Sequence, residues 1–215
     1  MRSRSKTKRI NCCLRTEQQT FRTSHRRASA IAQLRTFAAE LRWRPWGSSM
    51  IYLNGAYRVH RPDDVARFTK LAADAFPEFE GRITCFGSDW LGRQFANDRG
   101  RLTGGAPQVL MLEPGTGQAL EIPVDQAAFH EEELVQEPEA AVAYSFFRDW
   151  KANGGVTPSY EECVGYRKPL YLGGTDDLRN LQLTGLDVYW TLSAQLLART
   201  RGLPVGTGVS GITIS

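Results

Sequence analysis

Val109-Leu-Met-Leu112, Glu113-Pro-Gly-Thr-Gly-Gln118 and Ala119-Leu-Glu-Ile122 read as strand, turn and strand. Proline and two glycines punctuate the middle stretch, and short apolar runs flank it. The spacing predicts an antiparallel hairpin. Upstream, residues 82–97 read as short strands around Gly87-Ser-Asp-Trp-Leu-Gly92. Before them, Asp63–Phe76 reads as a helix. Pro62 suits its first turn, Asp63 and Asp64 suit the positive end of its dipole, and Val65, Phe68, Leu71, Ala72 and Ala75 form its apolar stripe.

Downstream of the hairpin, helices take over. A short acidic helix is expected near Asp125–Leu134. A longer one is expected over Pro138–Asn153, with proline at its start, Gly154-Gly155 at its end, and Val142, Phe146 and Trp150 along one face. Ser159–Cys163 suggests a helical turn, and Leu170–Leu172 and Leu181–Leu183 suggest short strands. Asp187–Arg201 reads as the last helix, with Val188, Leu192 and Leu196 on one face and Gly202 and Pro204 beyond its end. Strands first, helices interleaved later and a hairpin between them predict an α+β fold: a small antiparallel sheet with packed helices. No internal repeat is visible.

The chain has 215 residues, 41% hydrophobic and 23% charged, enough to bury a core without disulfides or metals as staples. No apolar run is long enough for a membrane span, and no apolar h-region marks a secretory signal. Four cysteines without a CxxC pair suit a reduced, cytoplasmic compartment.

Charge is unevenly spread. Residues 1–49 hold 12 Lys and Arg against 2 acids; residues 50–215 hold 15 against 21. A basic tail, 1–49, is therefore expected before a single acidic domain, 50–215. Residues 1–27 are too poor in apolar side chains to offset chain entropy, so they are expected to lack fixed structure. Ala28–Arg42 could form one helix, followed by a linker over 43–49. The tail fits a nucleic-acid or anionic-surface arm, an organelle presequence, or an upstream extension with Met50 as the natural start.

Most short motifs dissolve on inspection. Gly206-Thr-Gly-Val-Ser-Gly211 matches the dinucleotide pattern, but only four residues follow it, so a terminal turn and the strand Ile212–Ile214 are expected instead. His130-Glu-Glu-Glu133 lacks the second histidine of a zincin helix, because position 134 is Leu. Cys163 follows Glu161-Glu162, whose charges oppose formation of a thiolate, so a buried structural cysteine is expected. Ser88 lacks the G-x-S-x-G elbow. No cofactor or metal is expected. What remains is an acidic stretch free of Lys and Arg: Asp125, Glu131, Glu132, Glu133, Glu137 and Glu139. It is either a solvated face or a docking face for a basic partner.

A resemblance sharpens the second option. Gly87-Ser-Asp-Trp-Leu-Gly-Arg-Gln-Phe-Ala-Asn-Asp98, Leu112-Glu-Pro-Gly-Thr-Gly117, Cys163-Val-Gly-Tyr-Arg-Lys-Pro-Leu-Tyr-Leu-Gly-Gly174, Asn180-Leu181 and Tyr189 resemble the type VI secretion DNase-immunity family. The likeness is to its C-terminal domain, which usually follows a GAD-like N-terminal region. It is strongest over 160–215, fair over 82–123 and absent over 1–49. It implies a bacterial, non-enzymatic α+β protein that binds and neutralises a cognate toxin, a DNase in the best-known members. The body looks short for a full GAD-like region, which leaves the toxin open. The alternatives are an enzyme using Cys163 or the carboxylates Glu161 and Glu162, and nucleic-acid binding through the basic tail.

Overall fold

Strand β5 (Ala106–Glu113) pairs antiparallel with β6 (Gln118–Asp125), placing Leu110 opposite Glu121 and Met111 opposite Leu120. This is the expected hairpin, longer at both ends. The computed structural model describes residues 50–203. The helix expected over 28–42, the linker 43–49, the glycine motif 206–211 and the strand 212–214 lie outside the described residues.

The hairpin closes a six-stranded antiparallel sheet in sequential order: β1 (Ile51–Tyr52), β2 (Tyr57–Val59), β3 (Ile83–Asp89), β4 (Gln94–Thr103), β5 and β6. Gly104 and Gly105, both at positive φ, make the two-residue turn from β4 to β5. The turn lies beyond the strands expected over residues 82–97, because β4 continues to Thr103. A second sheet pairs β7 (Glu162–Tyr166) with β8 (Leu181–Gly185). It joins the first region through the Val164 N–H, which donates to the Trp90 carbonyl at 2.7 Å.

Val109-Leu-Met-Leu112 is apolar throughout because β5 is buried on both faces. Val109 and Met111 pack with Phe95 and Phe129 in one cluster. Leu110 and Leu112 pack with Phe68, Ala96 and Trp190 in another. The sheet is thus the middle of three layers. Helices α1 (Val65–Ala75) and α5 (Leu186–Thr200) supply the second cluster, while the helical segment 126–136 (α2), α3 (Pro138–Val142) and α4 (Tyr144–Ala152) supply the first. The architecture is α+β, as expected from the order of elements.

Four local expectations are corrected. The helix predicted over 138–153 breaks at Ala143, which takes φ 50° and ψ 52°. The carbonyl just before the break, Val142, accepts the Trp90 indole N–H at 2.9 Å. Residues 159–162 close a single turn through the Glu162 N–H on the Ser159 carbonyl at 3.1 Å, but Cys163 is not part of it: it lies in β7, opposite Thr184. Leu170–Leu172 is a 3₁₀ turn, not a strand, closed by the Gly173 N–H on the Leu170 carbonyl. On α5 the buried side chains are Leu186, Tyr189, Trp190 and Ser193, whereas Val188 is 56% exposed. Reading only aliphatic residues misplaced that face, because two aromatics carry the packing. Helix α1 matches expectation, with Phe68, Ala72 and Ala75 buried and a 3₁₀ turn over Pro62–Asp64 before it.

Candidate functional site

Asp125 ends β6 and caps the acidic helical segment 126–136: its Oδ1 accepts the Ala128 N–H at 2.9 Å. The segment begins α-helical and then opens into a π-turn over Phe129–Glu133. The wider turn sets two consecutive side chains, Phe129 and His130, against the sheet, with Leu134 buried beyond them. His130 Nε2 lies 2.8 Å from the Tyr57 hydroxyl, and its ring stacks on Tyr52. Burial pushes its pKa down to about 4. His130 is therefore an interior support for the helix.

With Phe129, His130 and Leu134 turned inward, Glu131, Glu132 and Glu137 are left exposed and Glu133 half-buried. Glu139 is exposed too, and its Oε2 accepts the Ser145 N–H at 2.8 Å, capping α4 across the break at Ala143. Among the described residues none of the six acidic candidates enters an ion pair, and Asp125 and Glu139 double as caps. Helix geometry and two caps hold this stretch of carboxylates in place with no basic side chain paired to them.

The sequence motifs behind the resemblance meet in the interior. The Gly92 carbonyl accepts the Trp190 indole N–H at 2.8 Å, and the Gly115 carbonyl accepts the Leu170 N–H at 2.9 Å. A Cβ on Gly92 would come within 2.9 Å of Cys163 Sγ, and one on Gly165 within 2.7 Å of the Tyr189 ring. Asn180 clamps the loop after β7: its amide donates to the Lys168 and Thr175 carbonyls and accepts the Lys168 N–H. These residues lock the β3–β4 turn, the β5–β6 turn and β7–β8 into one unit.

The residues of the enzyme alternative are engaged in the same framework. Cys163 is fully buried, and burial pushes its thiol well above the ordinary range, favouring the unreactive protonated form. Glu161 pairs with Arg67 at 2.9 Å. Glu162 accepts the Ser159 N–H at 3.0 Å, which holds its carboxyl below the usual range. Ser88 is buried within β3. Among the described residues no group of three or more His, Cys, Asp and Glu side chains is placed to hold a metal ion.

Sequence reasoning missed a set of buried polar residues. Arg58 donates to the main-chain carbonyls of Ser159 and Pro158, tying β2 to the segment before β7. His60 Nε2 lies 2.6 Å from Gln94 Oε1 and its ring stacks on Phe68; burial lowers its pKa to about 4 against the opposing effect of the Gln94 contact. Asp89 receives Arg93 Nε at 2.6 Å across the β3–β4 turn. Asp98, wholly buried, receives Arg82 at 2.5 Å and Arg101 at 2.9 Å. Arginine lying 3 to 16 positions from its aspartate is the sequence signal, but spacing alone does not say which pairs are buried.

Comparison with known proteins adds two findings. Residues 128–197 match the family model described as T6SS immunity protein Tdi1, C-terminal. That stretch runs from the acidic helical segment through most of α5. The chain is also similar in fold to the protein in the crystal structure of Atu4351 from Agrobacterium tumefaciens, at a TM-score of 0.50 and 12% identity. The match covers 80% of this chain and 81% of that one. No curated protein matches the chain. Among the described residues no helix is long and apolar enough to cross a membrane.

Proposed function

We propose that this protein is an immunity protein that binds and neutralises a cognate toxin without chemistry of its own, acting in the cytoplasm. The observation that carries this reading is the match of residues 128–197 to a type VI secretion immunity family. The partner is a toxin with a basic surface, such as a DNase, which needs cationic side chains against DNA phosphates. The contact face is the acidic stretch Asp125, Glu131, Glu132, Glu133, Glu137 and Glu139. Its support is physical: unpaired carboxylates on a helix anchored by Phe129, His130 and Leu134 are ordered before a partner arrives.

The test is binding kinetics with the proteins encoded beside this gene. Reversing Glu131, Glu132 and Glu133 to Lys takes that local charge from −3 to +3. Rim charges act mainly on the association rate and are screened by salt, with a Debye length of about 8 Å at physiological ionic strength. Association is expected to slow at low salt and to approach the unmodified rate near about 1 M salt. An unchanged low-salt rate would move the interface off this helix. Absence of any complex with the unmodified protein would overturn the immunity reading.

A further inference from the structure

Strand β6 ends the six-stranded sheet, and among the described residues no main-chain group of another element bonds to its outer side; the Gln118 N–H donates to Thr116 Oγ1 at the start of the strand. Ordinary proteins protect such an edge, because unpaired N–H and C=O groups recruit another strand. The one proline in β6, Pro123, does not protect it. Val109 pairs with Ile122 and Gln108 with Asp125, so Pro123 and Val124 fall in a bulge past the regular ladder. Residues 118–122 remain a regular open edge about 17 Å long. Ala119 and Ile122 are rooted in the two cores, which fixes the strand in register. Leu120, 40% exposed, and Glu121, with 68% of its side chain exposed, face solvent. Past the bulge the chain runs directly into the acidic helical segment.

We infer that the 118–122 edge of β6 accepts an extended basic segment of the toxin as a seventh strand, with the acidic helix flanking it. This rests on the immunity reading and deepens it. Main-chain bonding supplies affinity that does not depend on side chains, and Leu120 and Glu121 supply an apolar and an anionic contact for alternate residues of the incoming strand. The flank selects charge: the unpaired carboxylates after the strand favour Lys and Arg, while Glu121, exposed but 3.5 Å from Arg101, adds a shared anion at the edge. The same flank disfavours a second copy of this chain. A two-fold pairing of β6 with β6 would bring two equally acidic flanks into one interface.

Hydrogen exchange of the complex with the toxin that this protein binds tests this directly. The amides of 118–122 that do not bond to β5 should exchange at least about tenfold more slowly in the complex than in the free protein. Leu120→Lys combined with Glu121→Lys, which also removes the Arg101 contact, should lower the melting temperature only slightly and raise the dissociation rate by about tenfold or more. Val188→Lys, at an exposed position on α5, should leave the dissociation rate unchanged. A complex whose β6 amides exchange as in the free protein overturns the inference and leaves the immunity reading standing. So does an unchanged dissociation rate in the doubly substituted protein. If the unmodified protein forms no complex at all, the immunity reading fails first and the inference falls with it. Slowed exchange that appears on concentrating this protein alone would assign the edge to a second copy instead.

Discussion

The indole N–H of Trp90, in the turn between β3 and β4, donates to the carbonyl of Val142 at 2.9 Å, one residue before the chain turns left-handed at Ala143. Trp90 is fully buried and its ring packs against Phe146 and Phe147 on the far side of the break. One side chain thus holds the end of α3 and the start of α4. The break redirects the chain so that Val142 and Phe147 both reach the same core.

Ala143→Gly tests this arrangement by the sign of its effect. A left-handed Cβ costs roughly 1–2 kcal/mol, which glycine avoids. The substitution is expected to stabilise the protein by up to about 1 kcal/mol. In an uninterrupted helix it would instead cost about 1 kcal/mol. Urea unfolding decides between them, and a loss of stability would speak for the continuous helix.

Cys163→Ala removes a buried thiol packed against Gly92. It is expected to cost about 1–2 kcal/mol and to leave toxin binding intact. In the native protein Cys163 and Cys85, whose thiol burial pushes up to about 12, should alkylate slowly. Loss of protection in a variant that melts normally would return Cys163 to a chemical role.

Acid should weaken the fold in a window set by two histidines. His60 and His130 are held at about 4 by burial, against an ordinary 6.5. Between those values the unfolded chain binds protons that the folded chain refuses, so stability falls as pH falls. The full contribution is present above about pH 6.5, and each histidine removes at most about 1.4 kcal/mol per pH unit below it. Unfolding midpoints measured across that window should decline, and His60→Gln should flatten the decline. Asp89, raised to about 6 by burial, works the other way in the same window but offsets only one ring, so a level profile in the unmodified protein would overturn the assignment of both histidines.

Asp98→Asn should cost about 2–3 kcal/mol, because it leaves Arg82 and Arg101 without their shared anion. Burial works against the Asp98 charge, yet the two guanidinium groups and the Gly100 N–H outweigh it and hold the carboxyl at about 2. The depressed value means that the stabilisation is present above about 3.8 and is lost as pH falls towards 2. The gap between the two proteins should therefore close over that range. A constant gap would mean that shape rather than charge is what Asn fails to supply.

The sequence alone determined the elements whose signals are local. Glu113-Pro-Gly-Thr-Gly-Gln118 marks a turn whatever surrounds it, and the α1 stripe and the end of α5 before Gly202 follow from residue spacing. The acidic stretch and the motifs behind the resemblance were equally legible, being properties of neighbouring residues. Tertiary structure decided everything that depends on partners distant in the chain. Ala143 breaks a helix that its own neighbours favour, beside a carbonyl bonded to a tryptophan 52 positions upstream. Leu170–Leu172 turns where its apolar residues suggest a strand, and α5 buries Tyr189 where Gly165 and Gly92 make room for its ring, and Trp190 where its N–H reaches the Gly92 carbonyl. Pattern records which residues avoid water. Which carbonyl, glycine or carboxylate they meet is settled only when the layers close, because an indole N–H or a buried charge must find its partner inside.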